Sequence, residues 1–408
     1  MRDDCDVLIV GGGLNGPALA IALASAGLSS IVLDAQPRAP REASDFDGRA
    51  YALSLSSRRM LEALGIWATV RDEAQPIEEI KISDGRAGEG ASPLFLHFDS
   101  AEIDEGPMGH ILEDRYLRRA LMAAMEASPL IEVRDATRVT GQTPAGTGVS
   151  VTLEDGSSLS ARVLAGCDGR QSQVATRAGI GRMGCDYRQT ALVCAIEHER
   201  PHHGIAHQFF MPPGPLAILP LPGNRSSIVW SENRAAAEAI SALDAPGYLA
   251  ALRPRFGDFL GEIALAGARF SYPLGLSLAE SFTAPRIVLV GDAAHGIHPL
   301  AGQGLNLGLR DVAALAEVLA EAFRRGQDIG AADTLETYQR WRRFDTALLV
   351  GATDGINRLF SNDNPLLRLG RDLGLGLVNR LPALRRGLIR EAAGIAGDLP
   401  RLLRGQPL

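Results

Sequence analysis

The length and composition of the chain are those of a folded protein with more than one domain. Its 408 residues are 46% apolar and 22% charged, with a formal net charge of −7, values that allow two sizeable cores and argue against disorder. The negative balance argues against a nucleic-acid partner, because no excess of positive charge is available for phosphates. The four cysteines, Cys5, Cys167, Cys185 and Cys194, lack both metal-ligand spacing and the density of a disulfide framework.

Neither a signal peptide nor a membrane-spanning segment is expected. The opening stretch MRDDCDVLIVGGG places acidic residues where a signal peptide needs basic ones, and glycines soon interrupt its apolar run. No stretch reaches the roughly 20 apolar residues of a membrane helix. We therefore expect a cytoplasmic protein, either free or peripheral to a membrane.

The first 34 residues predict a βαβ unit around a glycine-rich turn. Asp6–Val10 and Ser30–Leu33 have the apolar pattern of strands, with an Ala/Leu-rich helix between them, an order that implies a parallel sheet. In the turn, Gly11 permits the tight bend, Gly13 lets the backbone approach a pyrophosphate, and Gly16 allows close packing of helix and strand.

An acidic residue completes this dinucleotide-binding pattern. Asp34 ends the second strand, where it is placed to accept a hydrogen bond from a ribose 2′-hydroxyl. The alternative is a chance glycine cluster in a helical turn, but strand, helix and acidic residue are all in register. The unit therefore predicts an adenine dinucleotide, and it does not distinguish NAD from FAD.

The middle of the chain changes from one kind of strand pattern to another. Arg115–Met125 predicts a helix capped by Asp114. A hairpin is then predicted to turn at Asp155-Gly156, and its second strand leads to Asp168-Gly169. Short alternating strands typical of an antiparallel sheet follow from residue 190 to residue 274.

These patterns predict an α/β fold. We expect a Rossmann-like nucleotide-binding domain with a parallel sheet, an inserted and mainly antiparallel β-sheet substrate domain, and a C-terminal helical region. The predicted boundaries are 1–75, 104–182 and 283–330 for the first domain, 76–103 and 183–282 for the second, and 331–408 for the helical region.

A second turn of the same kind lies late in the chain. Arg286–Val290 is an apolar strand, and Asp292 follows at its carboxyl end, where ligands of open α/β sheets bind. A carboxylate there can accept a hydrogen bond from a sugar-like hydroxyl. Gly302-Gln303-Gly304 then leads into a helix whose N-terminal N–H groups would stabilise the anion of a reduced flavin. This second turn favours FAD over NAD.

Three motifs carry a resemblance to a known family. GGGLNG, GCDGRQS (Gly166–Ser172) and GDAAHGIHPLAGQGLNLG (Gly291–Gly308) resemble, in order and separation, the FAD motifs of the single-component FAD-dependent aromatic hydroxylases. The likeness covers nearly the whole chain. Within that family, DGRAYALS (Asp47–Ser54), GPLAILPL (Gly214–Leu221) and REAAGIAGDLPRLLRG (Arg390–Gly405) are most similar to the ubiquinone-biosynthesis hydroxylases.

The resemblance implies one FAD held by segments far apart in the sequence. Gly11, Gly13 and Gly16 would hold the pyrophosphate and Asp34 the adenosine ribose. Most relatives have Glu at the position of Asp34, so the shorter side chain needs a water or a closer strand. The other implied residues are Arg49 near the pyrophosphate, Arg115 facing the flavin side, Asp168 and Gly169 in a motif tied to FAD and NAD(P)H use, Asp292 on the ribityl chain, and Pro299, Gly302, Gly304, Leu305 and Asn306 around the isoalloxazine ring.

The resemblance also implies a monooxygenase. In this family NADH or NADPH docks transiently and reduces FAD, O2 adds to form a C4a-hydroperoxide, and the distal oxygen attacks an electron-rich ring. The expected substrate is a polyprenylated phenol of ubiquinone biosynthesis. Pro299 and His298 are the candidate catalytic residues, His298 as a substrate contact or proton relay. His295 and His298 lack a third ligand nearby, so no metal site is expected.

Other functions stay open at this point. A second enzymatic hypothesis is a hydroxylase of a soluble phenol, or an FAD-dependent reductase of isoprenoid chains. A third is a non-catalytic FAD-bearing scaffold within a biosynthetic complex. Substrate-triggered NADH oxidation and a requirement for O2 would distinguish these hypotheses.

The C-terminal segment 361–408 differs in charge from the rest of the chain. Eight arginines face four acidic residues, a net charge of +4, and leucines recur near helical spacing. One interpretation is a helical cap packed on the FAD domain. The other is a surface that docks on anionic lipid of the inner membrane or on a partner in the quinone-biosynthesis complex.

Overall fold

The computed structural model describes residues 3–39, 48–88, 90–298, 302–360, 374 and 376–408. In chain order the strands are β1 (Cys5–Val10), β2 (Ser30–Leu33), β3 (Ala50–Ser54), β4 (Gln75–Ile77), β5 (Glu79–Arg86), β6 (Gly90–Asp99), β7 (Gly109–Glu113), β8 (Ile131–Arg134), β9 (Val139–Ala145), β10 (Gly148–Leu153), β11 (Ser158–Gly166), β12 (Arg182–His198), β13 (Ile205–Phe210), β14 (Leu216–Leu221), β15 (Arg225–Asn233), β16 (Ile263–Leu265), β17 (Phe270–Ala279), β18 (Thr283–Ala284), β19 (Ile287–Leu289) and β20 (His295–Gly296). The helices are α1 (Asn15–Ser25), α2 (Leu55–Ala63), α3 (Trp67–Val70), α4 (Asp114–Glu126), α5 (Gln173–Arg177), α6 (Arg234–Ser241), α7 (Ala245–Phe256), α8 (Gln303–Arg324), α9 (Ala332–Phe360) and α10 (Pro382–Ala392).

The first sheet carries the three glycine-containing motifs. Its main strands lie in the order β18-β19-β11-β1-β2-β8, and the pairs from β19 to β8 are all parallel. Strands β1, β11 and β19 are therefore neighbours, so the turns that follow them meet at one edge of the sheet. The hairpin between β10 and β11 turns at Asp155-Gly156 as predicted, with Gly156 at φ +83°.

The second sheet is the predicted antiparallel one. Its order is β20-β17-β12-β15-β14-β13-β5-β6, and only the contact between β13 and β5 is parallel among the described pairs along this path. The long strand β12 contains an irregularity between Asp186 and Gln189, and Arg188 within it has a φ of +56°. Together with the parallel first sheet, this arrangement confirms the predicted α/β fold class. The domain boundaries themselves stay predictions.

A third, small sheet was not anticipated from the sequence. It has the order β3-β7-β4, with antiparallel pairs on both sides of β7. Every residue of β7 is buried, so GHILE shows no period-two alternation that would mark it as a strand. This sheet places Glu113 next to Arg225 of β15, in the second sheet.

The prediction that Asp114 caps the helix α4 is wrong. Asp114 is the first helical residue, and the preceding Glu113 makes no side-chain capping bond. The Asp114 carboxylate instead accepts two hydrogen bonds from Arg118, at 2.8 and 3.0 Å. A side chain one turn away therefore competes successfully with the backbone N–H groups.

In the described part of the C-terminal region, α9 and α10 are followed by a non-helical stretch and a short 3₁₀ helix, Arg401–Arg404, and this end is part of the main core. Leu399, Leu402 and Leu403 are buried in the cluster that also contains the strands of the first sheet. The residues that precede α10 and its first turns are more exposed, while Ile389 is buried. Within the described residues, no helix is both long and apolar enough to cross a membrane.

Candidate active site

The three glycines of the first turn differ in what they face. A Cβ on Gly11 would lie 2.3 Å from the carbonyl oxygen of Cys167, and one on Gly16 would lie 2.0 Å from the carbonyl oxygen of Gly11. A Cβ on Gly13 would meet no described atom within 4 Å. The protein backbone therefore requires glycine at the first and third positions. At Gly13 the open space is what a pyrophosphate needs to approach the backbone, so this turn fits FAD.

Asp34 contacts the glycine turn itself. Its Oδ2 accepts a hydrogen bond from the backbone N–H of Gly12 at 2.7 Å, and its Oδ1 accepts one from Gln36 at 2.7 Å. Each carboxylate oxygen can accept a further hydrogen bond, so the predicted contact with the adenosine ribose is compatible with this geometry. The short side chain lies close enough to the turn to hold its backbone in place.

The first and second turns are in direct contact. Asn15, from the first turn, fills the space beside two glycines of the third motif, Gly291–Gly308, which contains the second turn. A Cβ on Gly291 would lie 2.1 Å from Asn15 Nδ2, and a Cβ on Gly308 would lie 2.5 Å from the same atom. Residues nearly three hundred positions apart thus form one continuous surface, as the prediction of a single FAD requires.

Two arginines hold the second turn. Arg170 Nε donates to Asp292 Oδ2 at 3.2 Å, and its Nη2 donates to the carbonyl of Ile297 at 3.1 Å. Arg182 donates to the backbone carbonyls of Asp292 and Ala293. Neither role was predicted from the sequence, although Arg170 lies within the GCDGRQS motif. The Asp292 side chain remains 41% exposed and so is accessible to a ribityl chain.

Asp168 has an internal structural role. Its Oδ1 accepts a hydrogen bond from Ser172 Oγ at 2.5 Å, and its Oδ2 accepts hydrogen bonds from the backbone N–H groups of Gln173 and Val174. These bonds shape the start of α5. Gly169 follows in the left-handed region, with a φ of +80°. The predicted parts of Asp168 and Gly169 in FAD and NAD(P)H use stay predictions.

The predicted flavin loop, residues 299–306, is described from Gly302 onward, at the start of α8. Gly302 has a φ of +65°, and a Cβ there would lie 2.7 Å from the Cβ of Ala52, whereas a Cβ on Gly304 would meet no described atom within 4 Å. Leu305 packs on the main core. Pro299 lies outside the described residues, so its predicted catalytic and cofactor roles stay predictions.

Asn306 joins the flavin loop to the small sheet. Its Oδ1 accepts hydrogen bonds from Ser54 N and Ser57 Oγ at 2.9 and 2.8 Å. Its Nδ2 donates to the carbonyls of Ala52 and Gly302 at 2.7 and 3.1 Å. Both donors and both acceptor positions of the amide are therefore used by protein. Asn306 therefore fixes the loop, and its predicted place around the flavin ring stays a prediction.

Arg49 and Arg115 lie on the side of the small sheet. The guanidinium of Arg49 is 5.8 Å from the centre of the Phe270 ring, which belongs to the second sheet. Arg115 Nε donates to Glu113 Oε2 at 2.7 Å, and Arg225 Nη2 lies 3.0 Å from Glu113 Oε1. The buried Glu113 thus links the small sheet to β15, a connection that sequence spacing did not reveal.

His298 is a buried side chain next to the flavin loop. It is 1% exposed, and its ring lies edge-on to Tyr187 with the centroids 5.4 Å apart. Among the described residues, neither ring nitrogen has a hydrogen-bond partner. Burial and the nearby Arg170 lower the pKa of His298 to about 4, so the ring is neutral at neutral pH and can accept a proton or a hydrogen bond.

His295 is engaged elsewhere. Its Nε2 lies 2.5 Å from Asp311 Oδ2, so His295 and His298 do not act together. Among the described residues, no group of three His, Cys, Asp or Glu side chains is placed to hold a metal ion.

Comparisons with known proteins agree with this geometry. Residues 4–351 match the family described as FAD binding domain. The chain is 47% identical over 406 residues to the ubiquinone hydroxylase UbiL of Rhodospirillum rubrum, covering 99% of this chain and 93% of that protein. It is 33% identical to the 3-demethoxyubiquinol 3-hydroxylase of Escherichia coli, covering 96% and 98%. The fold matches p-nitrophenol 4-monooxygenase PnpA from Pseudomonas putida, with a TM-score of 0.81 at 20% identity over 97% of this chain and 99% of that one.

The family match and the similar proteins together define the class, an FAD-dependent monooxygenase. The chain belongs to the FAD-dependent aromatic hydroxylases and, among them, to the ubiquinone-biosynthesis hydroxylases, so the resemblance seen in its motifs is confirmed. FAD is its cofactor, and NAD(P)H is the transient co-substrate that is typical of the family.

Proposed function

We propose that the protein hydroxylates the ring of a polyprenylated phenol in ubiquinone biosynthesis, with NAD(P)H as reductant and O2 as oxidant. The observation that carries this proposal is the 47% identity to a ubiquinone hydroxylase over 99% of the chain. Because the similarity to this hydroxylase covers 99% of the chain, it includes the second sheet, where we predict the substrate domain, as well as the FAD motifs. The proposal is therefore more specific than membership of the flavoprotein family.

The residues divide the work with the cofactor. FAD, when bound, would accept the hydride of NAD(P)H and, once reduced, would activate O2. The open backbone at Gly13 would hold the pyrophosphate, Asp34 the adenosine ribose and Asp292 the ribityl chain. Gly304 lies in the first turn of α8, a 22-residue helix whose N-terminal N–H groups favour negative charge on the flavin.

The test of this proposal is substrate-stimulated oxidation of NAD(P)H by the purified holoprotein. We expect slow oxidation alone and faster oxidation when a prenylated phenol is added. Stimulation by a soluble phenol but not by a prenylated one would favour the soluble-phenol hydroxylase. Turnover without O2 would favour a reductase. Bound FAD with no stimulation by any phenol would favour a scaffold.

We propose His298 as the residue that contacts the substrate ring. Tyr187, which borders it, lies within the irregularity of β12 and donates its hydroxyl to Asp354 Oδ1 at 3.1 Å. Irregularities of this kind redirect side chains toward binding sites. A buried imidazole with no described hydrogen-bond partner is costly unless a ligand or water completes it, and the hydroxyl of a phenol supplies the missing donor.

Replacement of His298 by leucine tests this assignment. We expect the KM for the prenylated phenol to rise roughly tenfold or more, because one buried hydrogen bond is lost, while the FAD content stays at the wild-type level. In the wild type, protonation should weaken substrate binding only as the pH falls toward the His298 pKa of about 4.

His207→Leu is the matched control for His298→Leu. His207 also has its pKa lowered to about 4 by burial, but it lies on β13, and its ring contacts Phe209 of the same strand and Phe259 in the turn after α7. We expect the KM of His207→Leu for the prenylated phenol to equal that of the wild type. Equal KM values for His298→Leu and wild type would remove His298 from the substrate site.

We also propose that the C-terminal region contacts anionic lipid. Leu377, Leu381, Leu384 and Leu388 recur at spacings of four, three and four residues, and each is at least 38% exposed. Leu384 and Leu388 lie on α10, and Leu377 and Leu381 precede its first residue, Pro382. These exposed leucines, next to the exposed Arg386 and Arg390, suit the interface of an acidic membrane. A long-tailed prenylated substrate is itself confined to that membrane.

The tail also contains a part that packs on the core, which limits how this can be tested. Deleting residues from 384 onward would remove Ile389, Leu402 and Leu403, all fully buried, and so would destabilise the fold. Arg385 pairs with Glu102 at 2.9 Å and is structural as well. Point substitutions of the exposed leucines are therefore the cleaner test.

The double substitution Leu384→Asp with Leu388→Asp is expected to reduce binding to anionic vesicles severalfold, because it places negative charge on the side of α10 that we propose to contact lipid. Vesicle flotation measures the bound fraction. Leu243→Asp, at a leucine that is 38% exposed on another surface, should bind like wild type. Unchanged binding of the double variant with intact FAD content would leave the tail as a helical cap only.

A further inference from the structure

A fully buried carboxylate lies next to the backbone of the second turn. Asp311, on α8, is 0% exposed. It accepts hydrogen bonds from the backbone N–H of Gly291 at 2.9 Å, from His295 Nε2 at 2.5 Å and from Arg342 Nε at 2.8 Å. Gly291 is the residue immediately before Asp292, so this carboxylate holds the backbone from which the Asp292 side chain projects.

The same contacts bring the C-terminal helix α9 to the turn. The Arg342 side chain is 1% exposed, and its Nη1 donates to Asp345 Oδ2 at 2.8 Å. One turn earlier on α9, the Tyr338 hydroxyl donates to the carbonyl of Leu289, the last residue of β19, at 2.8 Å. Helix α9 is thus bonded directly to the end of β19 and, through Asp311, to the start of the turn.

The charges in this cluster are balanced by contact. Burial alone would raise the pKa of Asp311, but His295 and Arg342 outweigh burial and lower it, so the carboxylate is ionised at neutral pH. A buried, ionised carboxylate is retained only where its lone pairs are used. Here one of those lone pairs accepts the hydrogen bond from the backbone N–H of Gly291. A carboxylate that served only to pack two helices together would not need this bond to the turn.

We propose that Asp311 is a positioning residue for FAD. It fixes the Gly291 backbone so that Asp292 presents its carboxylate to the ribityl chain, and it makes the strength of FAD binding depend on Arg342 of α9. This role of Asp311 concerns the cofactor and does not depend on which phenol the enzyme hydroxylates.

Asp311→Asn is the first test. Asparagine has nearly the same volume and keeps one oxygen for Arg342, but its amide NH2 would face the N–H donors of Gly291 and His295. We expect the apoprotein to bind FAD roughly tenfold to hundredfold more weakly, as measured by flavin fluorescence titration. The midpoint potential of the bound flavin should become more positive, because a negative charge near the turn is lost while Arg342 keeps its charge.

Asp328→Asn provides the matched control. Asp328 forms a carboxylate–arginine pair with Arg286, at 2.7 and 2.6 Å. Its side chain is 36% exposed, and Arg286 lies just before the opposite end of β19. Its substitution should leave the FAD affinity and the midpoint potential at wild-type values. Wild-type affinity and potential in Asp311→Asn, with only a lower melting temperature, would overturn the proposal and leave Asp311 a packing residue.

A second pair of variants keeps the proposal testable if Asp311→Asn does not fold. His295→Gln retains an N–H donor for Asp311, whereas His295→Leu does not. We expect His295→Gln to keep most of the wild-type FAD affinity and His295→Leu to lose roughly tenfold. Equal affinities for the two variants would show that the hydrogen bond to Asp311 does not position the turn.

Discussion

Replacement of Gly13 by valine is expected to abolish retention of FAD while the apoprotein still folds. A Cβ at this position would meet no described protein atom within 4 Å, so the fold itself does not require glycine there. The pyrophosphate does, because it must approach the backbone closely. We expect the variant to purify with less than about a tenth of the wild-type flavin and with an apoprotein melting temperature within about 3 °C of wild type.

Two further glycine variants make this result specific. Gly351→Val, on α9, adds the same side chain at another site where a Cβ meets no described atom, and it should keep its FAD. Gly16→Ala should lower the stability of the apoprotein itself, because its Cβ would lie 2.0 Å from the carbonyl oxygen of Gly11. Full FAD occupancy in Gly13→Val would mean that the pyrophosphate does not lie over this turn.

Replacement of Asp292 by alanine is expected to lose most of the bound FAD, of which the wild type should carry about one per chain, tightly but noncovalently. The carboxylate is partly exposed at the carboxyl end of β19, while Arg170 and Arg182 hold the turn around it. Loss of a charged hydrogen-bond acceptor for the ribityl hydroxyls should weaken binding roughly tenfold to hundredfold. Flavin absorbance per protein after gel filtration measures the loss.

Asp292→Asn should fall between alanine and wild type, because it keeps an acceptor oxygen without the charge. Asp258→Ala is the control, since that side chain is 94% exposed and pairs only loosely with Arg253 at 3.6 Å. If Asp292→Ala retained FAD as the wild type does, the carboxylate would not be a ligand of the ribityl chain and the assignment of the second turn would be wrong.

The parts of the fold that could be predicted are those with a local signal. The βαβ unit around Gly11 and Gly16 has a strand, a turn and a helix within 34 residues, and the second turn at Asp292 repeats the pattern. The parallel and antiparallel sheets followed from the different strand patterns. The small sheet was missed because β7 is buried throughout and pairs with strands that lie far from it in sequence.

Candidate site residues could be predicted where they lie in a recognisable motif. Residues that only the fold brings together could not be predicted. Asp311 lies within LNLGLRDVAALAEVL, where one aspartate on an amphipathic helix has the pattern of a solvent-facing residue. Its partner Arg342 is 31 positions later, and no sequence spacing links them. The bonds of the Asn306 amide to Ala52 and Ser54 could not be read from the motif that contains it, and its predicted place around the flavin ring stays a prediction.

The incorporation of ¹⁸O from labelled O2 into the product tests the central claim most directly. The holoprotein is incubated with NAD(P)H, a prenylated phenol and ¹⁸O2, and the product is analysed by mass spectrometry. The proposed function predicts one labelled oxygen atom on the ring for each product molecule, and no label when ¹⁸O-water replaces ¹⁸O2. Label from water, or a hydroxylated product formed in the absence of O2, would contradict the assignment of the protein as a monooxygenase.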